Sequence, residues 1–224
     1  MRIPFKVLPA LFATTLLGGA VPADAQGFAL GVVGGTQGAG VQLTLGLVPR
    51  ANLRLGAQGL DLSRDHTERD ITYRADAELR NAYLLFDLHP GGGDFRLSAG
   101  VAVNRNRVVG RSPVSGTVIV NGVPYDVASV GTLEAELTTR RIAPYAGLGW
   151  GNAVAPGSPL RFVFDLGATY HQEPRLSLVA TPTNPALVPP GFYANLEAER
   201  VKAEEDLSRY RFYPVVNLGL SYRF

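Results

Sequence analysis

His66, His89 and His171 are the three histidines of this chain, and it contains no cysteine. Nucleophilic or metal chemistry would therefore have to be built around an imidazole or carboxylates, with no thiolate to help. His171 stands two residues from Glu173, on the same face of an extended chain, and Ser177 is the nearest serine. A hydrolase needs a nucleophile beside its base and a third group to orient that base. Glu173 could orient the ring, but Ser177 lies beyond Pro174 and off the strand. Asp65, His66, Glu68 and Asp70 are the right types to hold a cation, yet their polar stretch reads as a solvated loop. The glycines of Gly34-Gly35 and Gly91-Gly92-Gly93 sit at turns, where they supply unusual backbone angles, and form no phosphate-binding loop. We expect no catalytic residue, no cofactor and no metal, and hence no enzyme.

The remaining chemistry is charge, and its position depends on the strands that carry it. Period-two alternation of apolar and polar residues recurs along the whole chain. It predicts eight strands, near 27–34, 38–48, 51–62, 71–88, 95–107, 132–150, 160–172 and 209–224. Pro49-Arg50, 89–94 and 151–159 make short turns, and a polar loop is expected over 63–70. Val118-Ile119-Val120 and Val123-Pro124-Tyr125 flank Asn121-Gly122, a hairpin signal inside a longer loop. The stretch 173–208 reads as the longest loop. Leu196, Ala203, Leu207 and Tyr210 share a helical stripe there, with Asn195 as its cap.

Two of the strands change parity partway. Ile71, Tyr73, Ala75, Ala77 and Leu79 give way to Ala82, Leu84, Phe86 and Leu88. Leu133, Ala135 and Leu137 give way to Ile142, Pro144, Ala146, Leu148 and Trp150. One extra residue would restore the face, so a β-bulge is expected near Arg80-Asn81. Pro144 and Pro214 are expected beside further irregularities. With the apolar face turned outward throughout, the inward set includes Arg54, Arg74, Glu78, Arg96, Glu134, Glu136, Arg140, Arg161, Asp165 and Arg211. Both signs are present, which predicts a paired polar network, because an unpaired buried charge is costly.

The final strand carries the most specific pattern. Asn217, Leu218, Gly219, Leu220, Ser221, Tyr222, Arg223 and Phe224 resemble the C-terminal assembly signal of bacterial outer-membrane β-barrels, with Asn217, Gly219, Tyr222 and Phe224 at its fixed positions. The architecture resembles the small barrels of the OmpA/OmpX and OmpW-like group. The resemblance implies an all-β chain forming an eight-stranded antiparallel transmembrane barrel, with a short helix in the last external loop. It also implies that the barrel-assembly machinery recognises the last strand. Connection lengths agree, since such barrels have short periplasmic turns and longer external loops. Eight strands enclose an interior that side chains can fill, whereas water-filled porins need 16–18.

The N-terminal end suits export. Arg2 and Lys6 precede a mostly apolar Val7–Val21 run, and Ala23-Asp24-Ala25 offers a small-residue cleavage site. The expected division is a signal peptide over 1–25 and a barrel over 26–224. The apolar run is too short and broken for a spanning helix. Formal net charge is +2, which argues against a nucleic-acid partner. The expected partners are outer-membrane lipid and lipopolysaccharide, with the protein a monomer in the outer membrane. A non-enzymatic role in envelope integrity or loop display is expected first. A narrow channel or transporter for small solutes, apolar ones included, is the alternative, and a lipid-modifying enzyme is a distant third.

Overall fold

The computed structural model describes residues 27–68, 71–112 and 115–224, and side chains there except those of 65–68 and 71–73. The expected signal peptide lies outside these residues. The strands are β1 (Phe28–Gly35), β2 (Gly38–Val48), β3 (Ala51–Glu68), β4 (Ile71–Leu88), β5 (Phe95–Asn104), β6 (Arg107–Arg111), β7 (Thr117–Val120), β8 (Val123–Asp126), β9 (Thr132–Thr138), β10 (Ile142–Trp150), β11 (Leu160–Tyr170), β12 (Arg175–Thr181) and β13 (Phe212–Arg223). A single turn, α1 (Val127–Val130), and a longer helix, α2 (Phe192–Leu207), complete the set with a 3-10 turn at Pro185–Leu187.

The described strands number thirteen rather than eight. Two of the extra ones are the β7–β8 hairpin, turned by Asn121 and Gly122 at φ 50° and 76°. The rest arise because long strands are interrupted: β5 and β6 at Arg105-Asn106, β9 and β10 at 139–141, β11 and β12 at 171–174. At the first break the side-chain oxygen of Asn106 accepts from the Arg80 amide at 3.0 Å, replacing a ladder bond. β12 occupies sequence that reads as loop, and β3 runs on through the expected 63–70 loop to Glu68.

All pairings are antiparallel. One series runs β1–β2–β3–β4–β5–β10–β11–β13 and returns to β1. A second continues from the far half of β4 through β6 and β9 to β12. The first part exposes apolar side chains on one face, among them Val32, Val41, Leu84, Phe86, Leu97, Val101, Leu148, Phe162, Leu166 and Leu218. Their neighbours in sequence point the other way and are buried, as with Gln42, Arg54, Leu85, Asp87, Tyr145, Asp165 and Val215.

The expected bulge near Arg80-Asn81 is absent. β3 and β4 pair without a break from Ala51↔Leu88 to Glu68↔Ile71. β4 meets β5 and then β6 in one register, and β10 and β9 do the same against β5 and β6. The parity switch is therefore a change in what each face meets. Near the chain ends the outer face is apolar. Beyond the breaks the same outer side carries Asp61, Asp76, Glu78, Glu134 and Glu136, while Leu133, Leu178 and Ala180 turn inward. There they pack against Val118, Val120, Tyr125, Val127, Val130, Phe192 and Leu196, a core built by the hairpin, α1 and α2. This far part is arranged like a soluble sheet with its apolar face covered.

Pro144 lies within the unbroken β5–β10 register, so no bulge accompanies it. Pro214 pairs on the β11 side, but β1 reaches only Asn217; there the Thr36 hydroxyl donates to the Pro214 carbonyl at 3.1 Å. A missing N–H costs little where one side has no strand. Register shifts instead between β2 and β3, at Gly46/Val48. α2 begins at Phe192 after a left-handed Gly191 rather than at Asn195. Burial of Phe192, which the helical stripe omits, draws the start forward. The Asn195 amide donates to the Tyr125 hydroxyl at 2.7 Å instead of capping, and Tyr210 lies exposed beyond the helix.

Leu166 sits in the middle of the apolar outer face, paired with Leu148 and Val216. Leu166→Arg is expected to lower the stability of protein folded into lipid vesicles by about 2–4 kcal/mol, read by urea titration. Ile119→Arg, on the exposed hairpin, should stay within about 0.5 kcal/mol of wild type.

Candidate functional site

The densest chemistry lies on the buried face between β3, β4, β5 and β11. These strands place polar residues there because each alternates with an apolar residue on the outside. Arg54 on β3 meets Asp87 on β4 at 2.9 Å and Asp165 on β11 at 2.7 Å. Arg96 on β5 meets the other Asp165 oxygen at 2.8 Å. Ser98 donates to Asp87 at 2.5 Å. The four charged side chains are only 3–4% exposed, so each charge relies on its partners. In the series of pairings β3 and β11 are four steps apart in either direction. Arg54 therefore links strands on opposite sides of the ring of pairings.

Layers stack on either side of these charges. Toward the far end, Leu85, Tyr145 and Val215 cluster with Tyr83 and Tyr213. Room for the rings comes from glycine: a Cβ at Gly56 would collide with Tyr83, and one at Gly167 with Tyr145. Beyond the rings, His171 lies 2.8 Å from the Thr169 hydroxyl and 3.2 Å from the Asn104 amide. Toward the chain ends, the 151–159 segment folds inward and buries Asn152, Ala153 and Val154. The Asn52 amide donates to Asn152 at 3.0 Å and lies 3.1 Å from Nε2 of His89. Nδ1 of His89 faces the Gly93 carbonyl at 3.0 Å. That carbonyl can only accept, so Nδ1 carries the proton and Nε2 accepts from Asn52. Burial lowers the His89 pKa from its ordinary value, which favours this neutral form.

Of the ten charged residues assigned inward from sequence, Arg54, Arg96 and Asp165 join this layer. Arg161 lies toward the chain ends, 3.7 Å from Asp94, and donates to the Pro156 carbonyl. Arg74, Glu78, Glu134 and Glu136 stand on the outer side of the far extension, because no bulge turns them in. There Arg107 grips Glu136 at 2.8 Å and holds its carboxyl below the ordinary value. Arg111 bridges Glu134 and Asp76 at 2.9 and 3.0 Å. Arg140 is exposed in the break between β9 and β10, and Arg211 pairs with Glu173 at 2.6 Å. Asp87 completes the layer without having been picked out, although its alternation with Phe86 and Leu88 already points it inward.

The hydrolase trio does not assemble. His171 turns to Thr169 and Asn104, while Glu173 pairs with Arg211. The side chains of His66 and the acidic residues around it lie outside the described set. In the terminal pattern, Asn217 is buried and Tyr222 and Phe224 are exposed. Gly219 lies where a Cβ would press on Val32 and Val33 of β1, so glycine lets β1 approach β13. Phe224 stacks on Phe28 with centroids 5.0 Å apart.

The structure resembles CarO2 of Acinetobacter baumannii, at 23% identity over 89% of this chain and 99% of that one, with a TM-score of 0.61. It resembles CarO of the same organism at 23% identity, covering 88% and 97%, with a TM-score of 0.57. Both are outer-membrane β-barrel proteins. The likeness is one of fold: a mostly β, antiparallel, barrel-like sheet. No family model matches the chain, and no curated protein does.

The two classes of ion pair should respond differently to truncation. Asp165→Ala leaves Arg54 and Arg96 buried with only Asp87 between them and should cost about 3–5 kcal/mol. Glu136→Ala breaks an exposed pair and should leave stability nearly unchanged. Chemical denaturation of the two variants against wild type checks the contrast.

Proposed function

We propose that this chain is an integral outer-membrane protein whose eight circling strands close as an antiparallel transmembrane β-barrel. Its role is non-enzymatic: it reinforces the envelope and displays the far-end sheet, hairpin and helix to the outside. It is exported through the signal peptide over 1–25, cut after Ala25, and works as a monomer among outer-membrane lipid and lipopolysaccharide. The observation that carries a structural role over a conducting one is the Arg54–Asp165 bridge, with Asp87 and Arg96, across the interior. A buried lattice of paired guanidinium and carboxylate groups offers an ion no free charge to replace its water. The exposed apolar face supports the membrane setting, since lipid requires all backbone groups to be paired within the protein.

In planar bilayers the wild-type protein should pass no steady current. A substantial, persistent conductance that changes its ion preference in Asp165→Asn would overturn the structural reading in favour of a channel.

The seam between β1 and β13 depends on the same terminal residues that resemble an assembly signal. Asn217, Gly219, Tyr222 and Phe224 are, in this proposal, what the barrel-assembly machinery engages. Phe224→Ala removes the ring stacked on Phe28. It should reduce the folded, heat-modifiable band in membrane fractions, while Ser115→Ala should not. Equal yields would sink this assignment.

A further inference from the structure

Above Tyr145↔Thr169 the β10–β11 ladder stops, and pairing resumes only at Thr138↔Arg175 between β9 and β12. The gap is the mouth of a cavity of about 910 Å³, within the range of small-molecule sites. Its lining includes Arg140, Arg141, Arg175 and Arg211, set against Glu173 and Glu204. Both carboxylates are already engaged. Glu173 pairs with Arg211 at 2.6 Å. Glu204 pairs with Arg200 at 2.6 Å and accepts from the Leu176 amide at 3.1 Å. Among the described residues, Arg140, Arg141 and Arg175 make no ion pair. Other described arginines, among them Arg50, Arg105 and Arg223, also make no ion pair, but Arg140, Arg141 and Arg175 are brought together around one cavity.

The position of the cavity narrows the ligand. Arg141 precedes Ile142 and Arg211 precedes Phe212, two of the most exposed apolar residues of the outer face, at 61% and 66%. The Tyr170 and Phe212 rings meet there at 5.1 Å. The arginines thus stand directly at the rim of the apolar band, with the cavity opening beside it. Guanidinium forks match the oxygens of a phosphate and bind it with charge-assisted hydrogen bonds.

We propose that this cavity binds a phosphate monoester, held by Arg140, Arg141 and Arg175. Its place at the rim favours the headgroup of an anionic lipid, whose acyl chains would run down the face of Ile142 and Phe212. That lipid source rests on the membrane reading; the phosphate chemistry does not.

The test uses folded protein in zwitterionic detergent micelles, titrated calorimetrically with dihexanoyl phosphatidic acid, dihexanoyl phosphatidylcholine and inorganic phosphate. Phosphatidic acid should bind saturably, at one per chain. The combined Arg140→Gln, Arg141→Gln and Arg175→Gln variant should weaken it by about tenfold or more, and each single substitution should lose part of that. Arg50→Gln, in a turn at the other end, should bind as wild type does. Phosphatidylcholine should not compete. Inorganic phosphate binding as tightly as phosphatidic acid, with the same loss in the variant, would assign the site to free phosphate. Absence of saturable binding by both phosphate probes, or binding unchanged in variants that retain the heat-modifiable band, would overturn the site. A protein that stays soluble without detergent would overturn the membrane reading alone, because the inorganic phosphate titration needs no bilayer.

Discussion

Arg54 cannot be buried without Asp87 and Asp165, and those carboxylates cannot be buried without Arg54 and Arg96. This mutual dependence fixes more than local contacts. The partners come from β3, β4, β5 and β11, so the layer is complete only when strands from opposite parts of the sheet have come together. A pair built this way contributes little net stability over an apolar core, because desolvation offsets its attraction. Its consequence is specificity: a register slip of one residue in any of the four strands would leave a buried charge without its partner.

The rest of the interior is arranged around that layer. Aromatic rings lie over glycines on one side, and a folded turn with a neutral His89 lies on the other. Both are neutral neighbours, which keeps the four charges balanced among themselves. The outer face is left to apolar side chains, and no polar group from the layer needs to reach it. Interior packing and the apolar outer face are thus two aspects of one alternation.

The far extension follows the same backbone rules with its apolar residues on the opposite face. Its strands continue β3 and β4 or resume β5, β10 and β11 after short breaks, yet their apolar residues point inward under the hairpin and α2. Pairs such as Arg107–Glu136 and Arg111–Glu134 cover the outer side, where water is available to both partners. The breaks at 105–106, 139–141 and 171–174 mark the change from one regime to the other. The arginine-lined cavity lies at that boundary, where two strands separate and neither regime supplies a partner for every charge.

Strand alternation was legible in the sequence because side chains alternate from residue to residue whatever the partner strand is. It located most of the strands, the Asn121-Gly122 turn and the inward course of Arg54, Arg96 and Asp165. Asp87 could have been read by the same rule from Leu84, Phe86 and Leu88. The surroundings of each face could not be read. An apolar stripe looks the same whether it meets lipid or a helix, so the parity switches near 80 and 140 suggested bulges and misplaced Arg74, Glu78, Glu134 and Glu136. Only the tertiary structure, by laying Phe192 and Leu196 over the inward side, decided which side of those strands was dry. It alone could also bring Arg140, Arg141 and Arg175 to one cavity, since their proximity depends on where two ladders part and not on their spacing in the chain.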